Sequence, residues 1–280
     1  MSIEQQISSG GIVMDPHNER IRVLSYEAEQ IAELHEALAG IAQENGFDKI
    51  IIYAKKADCP DFLQRGYQQE GKIDGFFQGE NAYMLSLFLS EERRLSRAPE
   101  LAEANLRVSL QKAGEASKKA LPDEYRMRAA TPEDAEQLAR LYHQVFSAYP
   151  TPMDDPAYVK KTMAEGTYYV VAEKGGEIAC AASAEIAKAF GSAELTDCAT
   201  HPAHAGKGLL QPLFHTLEEH LEKQGIYYLY TLTRAQSAAM NITAAKQGFQ
   251  YRGRLINNCI IATGFEDMNI WVKPLRPVWE

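Results

Sequence analysis

The stretch HPAHAGKGLLQPLF, His201 to Phe214, sets two glycines and a lysine, Gly206-Lys207-Gly208, between a run that reads as a strand and one that reads as a helix. A helix start carries amide N–H groups with no intrahelical partner, and the macrodipole favours an anion there, so such a turn suits a phosphate. Pro212 sharpens the expectation. It has no N–H to bond back to residue 208 and is tolerated in the first turn, so the helix cannot begin much before Gly208. That leaves the amides of roughly Lys207 to Leu210 free. The plainer alternative is a tight strand-to-helix turn that holds nothing.

Other reactive residue types are scattered. His201 and His204 flank the turn without metal-ligand company and read as turn or surface residues, while His215 and His220, five apart on a helix, do not share a face. Cys59, Cys180, Cys198 and Cys259 are widely separated with no CxxC pair. They fit a reduced cytoplasmic setting better than a disulfide framework or a zinc site, and no metal is expected. A net charge of -9 argues against a nucleic-acid surface. The start, MSIEQQISSGG, lacks the order of a signal peptide, and AYMLSLFLS is too short to span a bilayer, so no membrane role is expected. With 45% apolar and 24% charged residues the composition is that of a soluble globular protein. The expected partner is a small molecule, and a homodimer stays open.

The elements that must position these residues follow from periodicity. The 280 residues are enough for two domains. The segment PELAEANLRVSLQKAGEASKKALP, Pro99 to Pro122, reads as a connecting helix with a frayed polar end, which places a boundary near residue 122 and domains at 1–122 and 123–280. Beyond it come a strand at EYRMRA and a helix at TPEDAEQLARLYHQVF, opened by a capping box of Thr131 and Asp134. A short helix at PAYVKKTMAEG, strands at TYYVVAEKG, EIACAASAEIA and AELTDCAT, and then the glycine turn follow. Leu210, Leu213, Phe214, Leu217 and Leu221 carry a helix to about Lys223. IYYLYTL is a strand, SAAMNITAAKQ a helix, and the remainder a hairpin-like strand pair.

GYQQEGKIDG from Gly66 and GFQYRGRLIN from Gly248 share glycine, aromatic, Gln, glycine, basic and aliphatic residues in one register. Each follows a strand and a short helix. The period of 182 residues suggests domain duplication, or two similar helix-stop-then-strand segments arising by chance. The first copy lacks the glycine turn, so it is expected to be a non-catalytic relic.

The order of strand, THPAHAGKGLLQPLFHTLEEHLEKQG, strand, a helix ending in Gly-Phe and two more strands resembles the GNAT N-acetyltransferase superfamily over about residues 124 to 276. ELTDCATHP, YTLTRAQSAAMN, GRLINN and MNIWVKPL, behind an extra amino-terminal domain, are similar to the β-lysine N-acetyltransferases within it. The resemblance implies an α/β (α+β) fold, with a mixed, mostly antiparallel sheet flanked by helices and a smaller amino-terminal GNAT-like half-domain. It implies that the turn wraps the pyrophosphate of acetyl-CoA. The pattern departs from the superfamily's Arg/Gln-x-x-Gly-x-Gly/Ala over Ala205, Gly206, Lys207, Gly208, Leu209 and Leu210, where only Gly208 is kept outright. Main-chain donors need no particular side chain, and Lys207 can supply compensating charge.

The implied reaction moves acetyl from a thioester to an amine whose ammonium has a pKa near ~10.4. Glu194 lies where several superfamily members place a catalytic base, with Asp197 ranked second. Strand alternation puts them on opposite faces unless a bulge of the kind common in the superfamily intervenes. Both have the alternative of a solvated acid at a strand end. Loss of Glu194 is expected to tell most at low pH, where free amine is scarcest. A main-chain amide near Cys198 would polarise the carbonyl, and Ala199 and Thr200 would border the pantetheine, with the Cys198 thiol a packing residue. The superfamily's Tyr acid falls on Ala244 and its Asn on Ser237, with Asn241 a turn further on. Tyr230 is the substitute acid, or else a core residue. Arg234 is a candidate clamp for an acceptor carboxylate and Tyr149 a candidate on the acceptor loop. The resemblance implies that the product, Nε-acetyl-β-lysine, is a compatible solute whose precursor comes from a lysine 2,3-aminomutase. The alternatives are acetylation of another small amine or of a protein lysine, and a non-catalytic CoA-binding protein, favoured by Ala205 and Ala244.

Overall fold

The computed structural model describes residues 3–8, 10–115, 120–146, 150–261 and 264–278. The first half runs α1 (Ile3–Ser8), β1 (Ile12–Asp15), β2 (Arg20–Val23), α2 (Ile31–Asn45), β3 (Lys49–Ala54), α3 (Cys59–Gln64), β4 (Gln68–Phe77), β5 (Glu80–Phe88), α4 (Glu91–Arg94) and α5 (Pro99–Gln111). The second runs β6 (Arg126–Ala129), α6 (Ala135–Val145), α7 (Pro156–Ala164), β7 (Tyr168–Lys174), β8 (Glu177–Ala187), β9 (Ser192–Thr200), α8 (Leu210–Lys223), β10 (Tyr228–Arg234), α9 (Ala238–Lys246), β11 (Gln250–Ile261) and β12 (Gly264–Pro274). The helix opened by Pro99 ends at Gln111, short of Pro122. The capping box forms: the Thr131 N–H donates to Asp134 Oδ2 at 2.8 Å, ahead of a short 3-10 turn that leads into α6.

The strands form one mixed, mostly antiparallel sheet in the order β1-β2-β3-β5-β4-β11-β12-β10-β9-β8-β7-β6, flanked by helices. Within it β1-β2-β3-β5-β4 and β8-β9-β10-β12-β11 have the same relations: antiparallel, parallel, antiparallel, antiparallel. The two series meet where Gly71 of β4 pairs with Gly253 of β11, the glycines that occupy the same place in GYQQEGKIDG and GFQYRGRLIN. A Cβ on Gly71 would stand 2.7 Å from the Arg252 carbonyl oxygen, and Gly253 has φ +144°, so the backbones approach too closely for a side chain on either.

A polar seam and an apolar cluster join the halves. Lys49 Nζ pairs with Glu70 at 2.8 Å and donates to the Ile256 carbonyl at 2.6 Å, and Arg252 pairs with Asp74 at 2.5 Å. Ile51, Tyr53, Phe76 and Met84 of the first half pack with Tyr230, Leu255, Met268 and Ile270 of the second. On the opposite face of β2 and β3, Ile21, Val23, Ile50 and Ile52 pack with Leu34, Leu38 and Ala42 of α2. Alternation along β2 therefore buries Ile21 and Val23 under α2 and turns Arg20 and Arg22 the other way. Among the described residues no helix is long and apolar enough to cross a membrane.

Candidate active site

β9 and β10 pair in parallel over Ser192–Tyr228, Ala193–Leu229 and Glu194–Tyr230, and beyond that register they part. The cause lies in β9. Asp197 has φ +49°, and between Thr196 and Ala199 β9 carries one more residue than β8 does between Ala181 and Ser183. Such a bulge bends its strand and increases its twist. Tyr142 Oη donates to the Asp197 carbonyl at 3.0 Å and Ser183 Oγ donates to its carboxylate at 2.6 Å, which hold the bulge in place. Glu194 and Asp197, which simple alternation would put on opposite faces, consequently line one cavity of about 210 Å³.

Glu185 on β8, Glu194 on β9 and Tyr230 on β10 stand in one row across the sheet. Burial pushes the Glu194 carboxyl up to about 8, the facing Glu185 and Asp197 carboxylates add to the rise, and Arg22 and a hydrogen bond from Tyr230 oppose it. Two acids opposite each other destabilise a sheet. Burial and these same acids raise the Tyr230 phenol well above its ordinary value, so it holds its proton. Glu194 is thus a carboxyl that gains and loses a proton near neutrality, with a phenol O–H beside it.

At the far end of β9, Gly206 and Gly208 have φ +75° and +76°, a conformation that only glycine adopts without strain, and α8 begins at Leu210. The amides of Gly206, Lys207, Gly208, Leu209 and Leu210 have no main-chain acceptor among the described residues. Leu209 is 2% exposed and Leu210 packs against the same core cluster, so these two present only their backbone to the turn. Ala205 is extended, Lys207 pairs with Glu124 at 3.4 Å, and Tyr125 Oη and His204 Nδ1 are hydrogen-bonded at 2.6 Å. The His201 ring accepts the Ala203 N–H at 3.2 Å. The His201 N–H donates to the Ala179 carbonyl of β8 at 2.9 Å, so antiparallel alternation turns the N–H groups of Cys198 and Thr200 toward the gap between β9 and β10.

Several other candidates from the sequence are packed or paired within the protein. Ala199 packs in the cluster beneath α6, and the same alternation aims its amide at β8, away from the gap. Asn241 is 0% exposed: its Oδ1 accepts from Thr233, Asn269 and Trp271, and its Nδ2 donates to the Arg234 and Ser237 carbonyls. With its polar groups so engaged it ties α9 to β10 and β12. Ser237 caps the start of α9 without a side-chain capping bond. Arg234 lines the cavity, but its fork is closed on Glu266 at 2.7 and 2.9 Å, so an acceptor carboxylate would have to displace that acid. Burial raises the Cys198 thiol well above its ordinary value, as befits a packing residue. Tyr149 lies outside the described residues.

Sequence reasoning missed Glu185, Arg22 and Tyr53, which line the same cavity. Glu185 was within reach: counting outward from the loop at Lys188–Gly191 pairs Ala187 with Ser192 and therefore Glu185 with Glu194. Arg22 and Tyr53 belong to the half expected to lend nothing to the chemistry, and no local pattern marks them.

Residues 134–249 match the acetyltransferase (GNAT) family. Over 97% of its length the chain is 38% identical to the N-acetyltransferase YodP of Bacillus subtilis, spanning 99% of that protein. It is 35% identical to the β-lysine N(6)-acetyltransferase of Methanosarcina mazei over 88% of this chain and 97% of the other. With the β-lysine N(6)-acetyltransferase of Methanococcus maripaludis it shares 31% identity over 96% of this chain and 97% of the other.

Proposed function

The chain belongs to the GNAT acetyltransferase family and is an acetyl-transferring enzyme, and from that premise we propose that it carries acetyl from acetyl-CoA to the side-chain amine of β-lysine, giving Nε-acetyl-β-lysine as a compatible solute. The observation that carries the reading is Glu194: a carboxyl raised to about 8, next to Tyr230, at the point where β9 and β10 part. Two relatives that cover nearly the whole chain bear this acceptor in their names. The cavity has walls from both halves and a volume of about 210 Å³, which suits a free amino acid better than a lysine within a protein. Four free cysteines are in keeping with a reduced, cytoplasmic setting.

The residues fit acetyl-CoA at two places. The amides from Gly206 to Leu210 would hold the pyrophosphate at the start of α8, and the N–H groups of Cys198 and Thr200 would pair along the pantetheine arm and polarise the thioester carbonyl. Bound there, acetyl-CoA supplies an activated acetyl group. Glu194, with Asp197 nearby on the bulge, takes the proton from the acceptor ammonium so that the free amine attacks directly. Tyr230, still protonated, is placed to return a proton to the departing thiolate, which at a thiol pKa of ~8.5 needs little help. We also propose that the two halves are copies of one unit, supported by their matching strand order and the paired Gly71 and Gly253, the first copy having no glycine turn and hence no cofactor site.

Thiol release from acetyl-CoA measured over a panel of β-lysine, lysine, ornithine and a lysine-containing peptide tests the reading. Turnover with β-lysine far above the others supports it, and preference for the peptide overturns it.

A further inference from the structure

We propose that Arg22, from the amino-terminal half, is the binding site for the acceptor's carboxylate and thereby decides which of its amines is acetylated. The inference rests on the amino-acid acceptor proposed above. Ile21 and Val23 are buried under α2, so Arg20 and Arg22 face the cavity that Glu194 and Glu185 line from the opposite half. The two arginines differ. Arg20 is neutralised by Asp15 at 2.8 Å and donates to the Asn258 carbonyl at 2.9 Å. Arg22 closes no ion pair with any described carboxylate, and its Nε is buried without a hydrogen-bond partner. Burial works against its charge, yet Tyr53, Asp15, Glu194 and Glu185 around it outweigh that penalty and keep the guanidinium protonated.

A guanidinium N–H buried without a partner is costly unless something pairs with it. Its planar fork matches a carboxylate in a bidentate geometry. The cavity therefore has a cationic pole at Arg22 on β2 and a carboxyl-lined pole at Glu194 and Glu185 on β9 and β8. An amino acid has the same polarity. With its carboxylate on Arg22, the amine that reaches Glu194 is the one at the far end of the side chain, and the amine near the carboxylate is held away from the acetyl group. The amino-terminal half in this arrangement is the selective wall of the acceptor site.

The test compares Arg22→Gln and Arg22→Lys with the parent, using β-lysine and 1,4-diaminopentane, which is β-lysine without its carboxylate. Arg22→Gln is expected to raise KM for β-lysine roughly 10- to 100-fold more than KM for the diamine, as loss of a charged hydrogen-bonded pair does, with KM for acetyl-CoA unchanged; because Arg22 also holds the Glu194 carboxyl down, kcat falls together for both amines. Arg22→Lys, which keeps the charge and loses the fork, should fall between. Equal changes in KM for both amines in both variants, with thermal melts like the parent's, would overturn the assignment while leaving the proposed acceptor standing. A parent enzyme that acetylates the diamine as well as β-lysine would overturn both.

Discussion

Glu194→Gln should remove the inflection near pH 8 from the pH profile of the reaction along with most of its rate. The side chain keeps its volume and loses its ability to take a proton. An ordinary carboxylate would be ionised throughout the neutral range, and the penalty for losing it would then be largest at low pH. Burial beside Glu185 and Asp197 changes this expectation: with the Glu194 carboxyl at about 8, only about a tenth of the sites hold the base at pH 7. Parental kcat/KM should therefore climb about tenfold from pH 7 to a plateau above pH 8, while an acceptor ammonium of pKa ~10.4 stays protonated up to pH 9. Against that plateau the variant should be lower by on the order of 10²–10⁴ at pH 8 and, drawing only on free amine, should keep climbing about tenfold per pH unit to pH 9, so the loss is constant below pH 8 and narrows above it. Thiol release at saturating acetyl-CoA and low β-lysine, from pH 6 to 9, reads this directly. A stability arm is independent of turnover. The folded chain keeps on Glu194 a proton that the unfolded chain releases above the ordinary 4.5, so stability falls as pH rises from 4.5 toward 8, by about 5 kcal/mol in all. Glu194→Gln lacks that burden, and its melting temperature relative to the parent should rise across the same window. A variant whose kcat/KM inflects near pH 8 like the parent's, or a parent flat from pH 6 to 9, would refute the reasoning.

Gly208→Val forces a β-branched residue to φ +76°, at a cost of roughly 1–2 kcal/mol or more, and turns the amides of the turn out of line. Calorimetry should show CoA binding weakened at least tenfold, and unchanged affinity in a folded variant would place the pyrophosphate elsewhere. Asn241→Ala strands the Thr233 hydroxyl, the Asn269 amide and the Trp271 indole N–H in the core, so denaturant unfolding should show a loss of about 3–5 kcal/mol. A loss below ~1 kcal/mol would mean that these donors find other partners. Deleting residues 1–122 uncovers Tyr230, Leu255, Met268 and Ile270 and removes Arg22. The fragment should self-associate in size-exclusion chromatography and lose selectivity for β-lysine, whereas a monomeric fragment with parental kcat/KM would show the first half to be dispensable.

Local chemistry was legible along the chain. Pro212, with Gly206 and Gly208, located the free amides and the start of α8, because φ preference and a missing N–H act within one turn. Thr131 and Asp134 announced their capping box, and the paired glycine segments announced β4 and β11, for the same reason. Glu194 was picked out by family resemblance and strand position. Its chemistry was not, because a pKa near 8 is made by burial and by Glu185 and Asp197, brought alongside through a strand pairing and a bulge. Asn241 and Arg234 show the converse: their residue types suggested ligands, and partners 28 to 32 residues away in sequence, Asn269, Trp271 and Glu266, took up their polar groups. Arg22 lies farthest from anything the chain alone discloses. Alternation on a four-residue strand says that it faces away from Ile21 and Val23, but only the closure of the sheet at Gly71 and Gly253 and the packing of Tyr53 against Tyr230's cluster bring β2 over the acids of β8 and β9. Sequence acts on neighbours through backbone geometry, whereas charge and burial act through space, and the space around Glu194 is shared with Arg22, which the chain keeps more than 170 residues away.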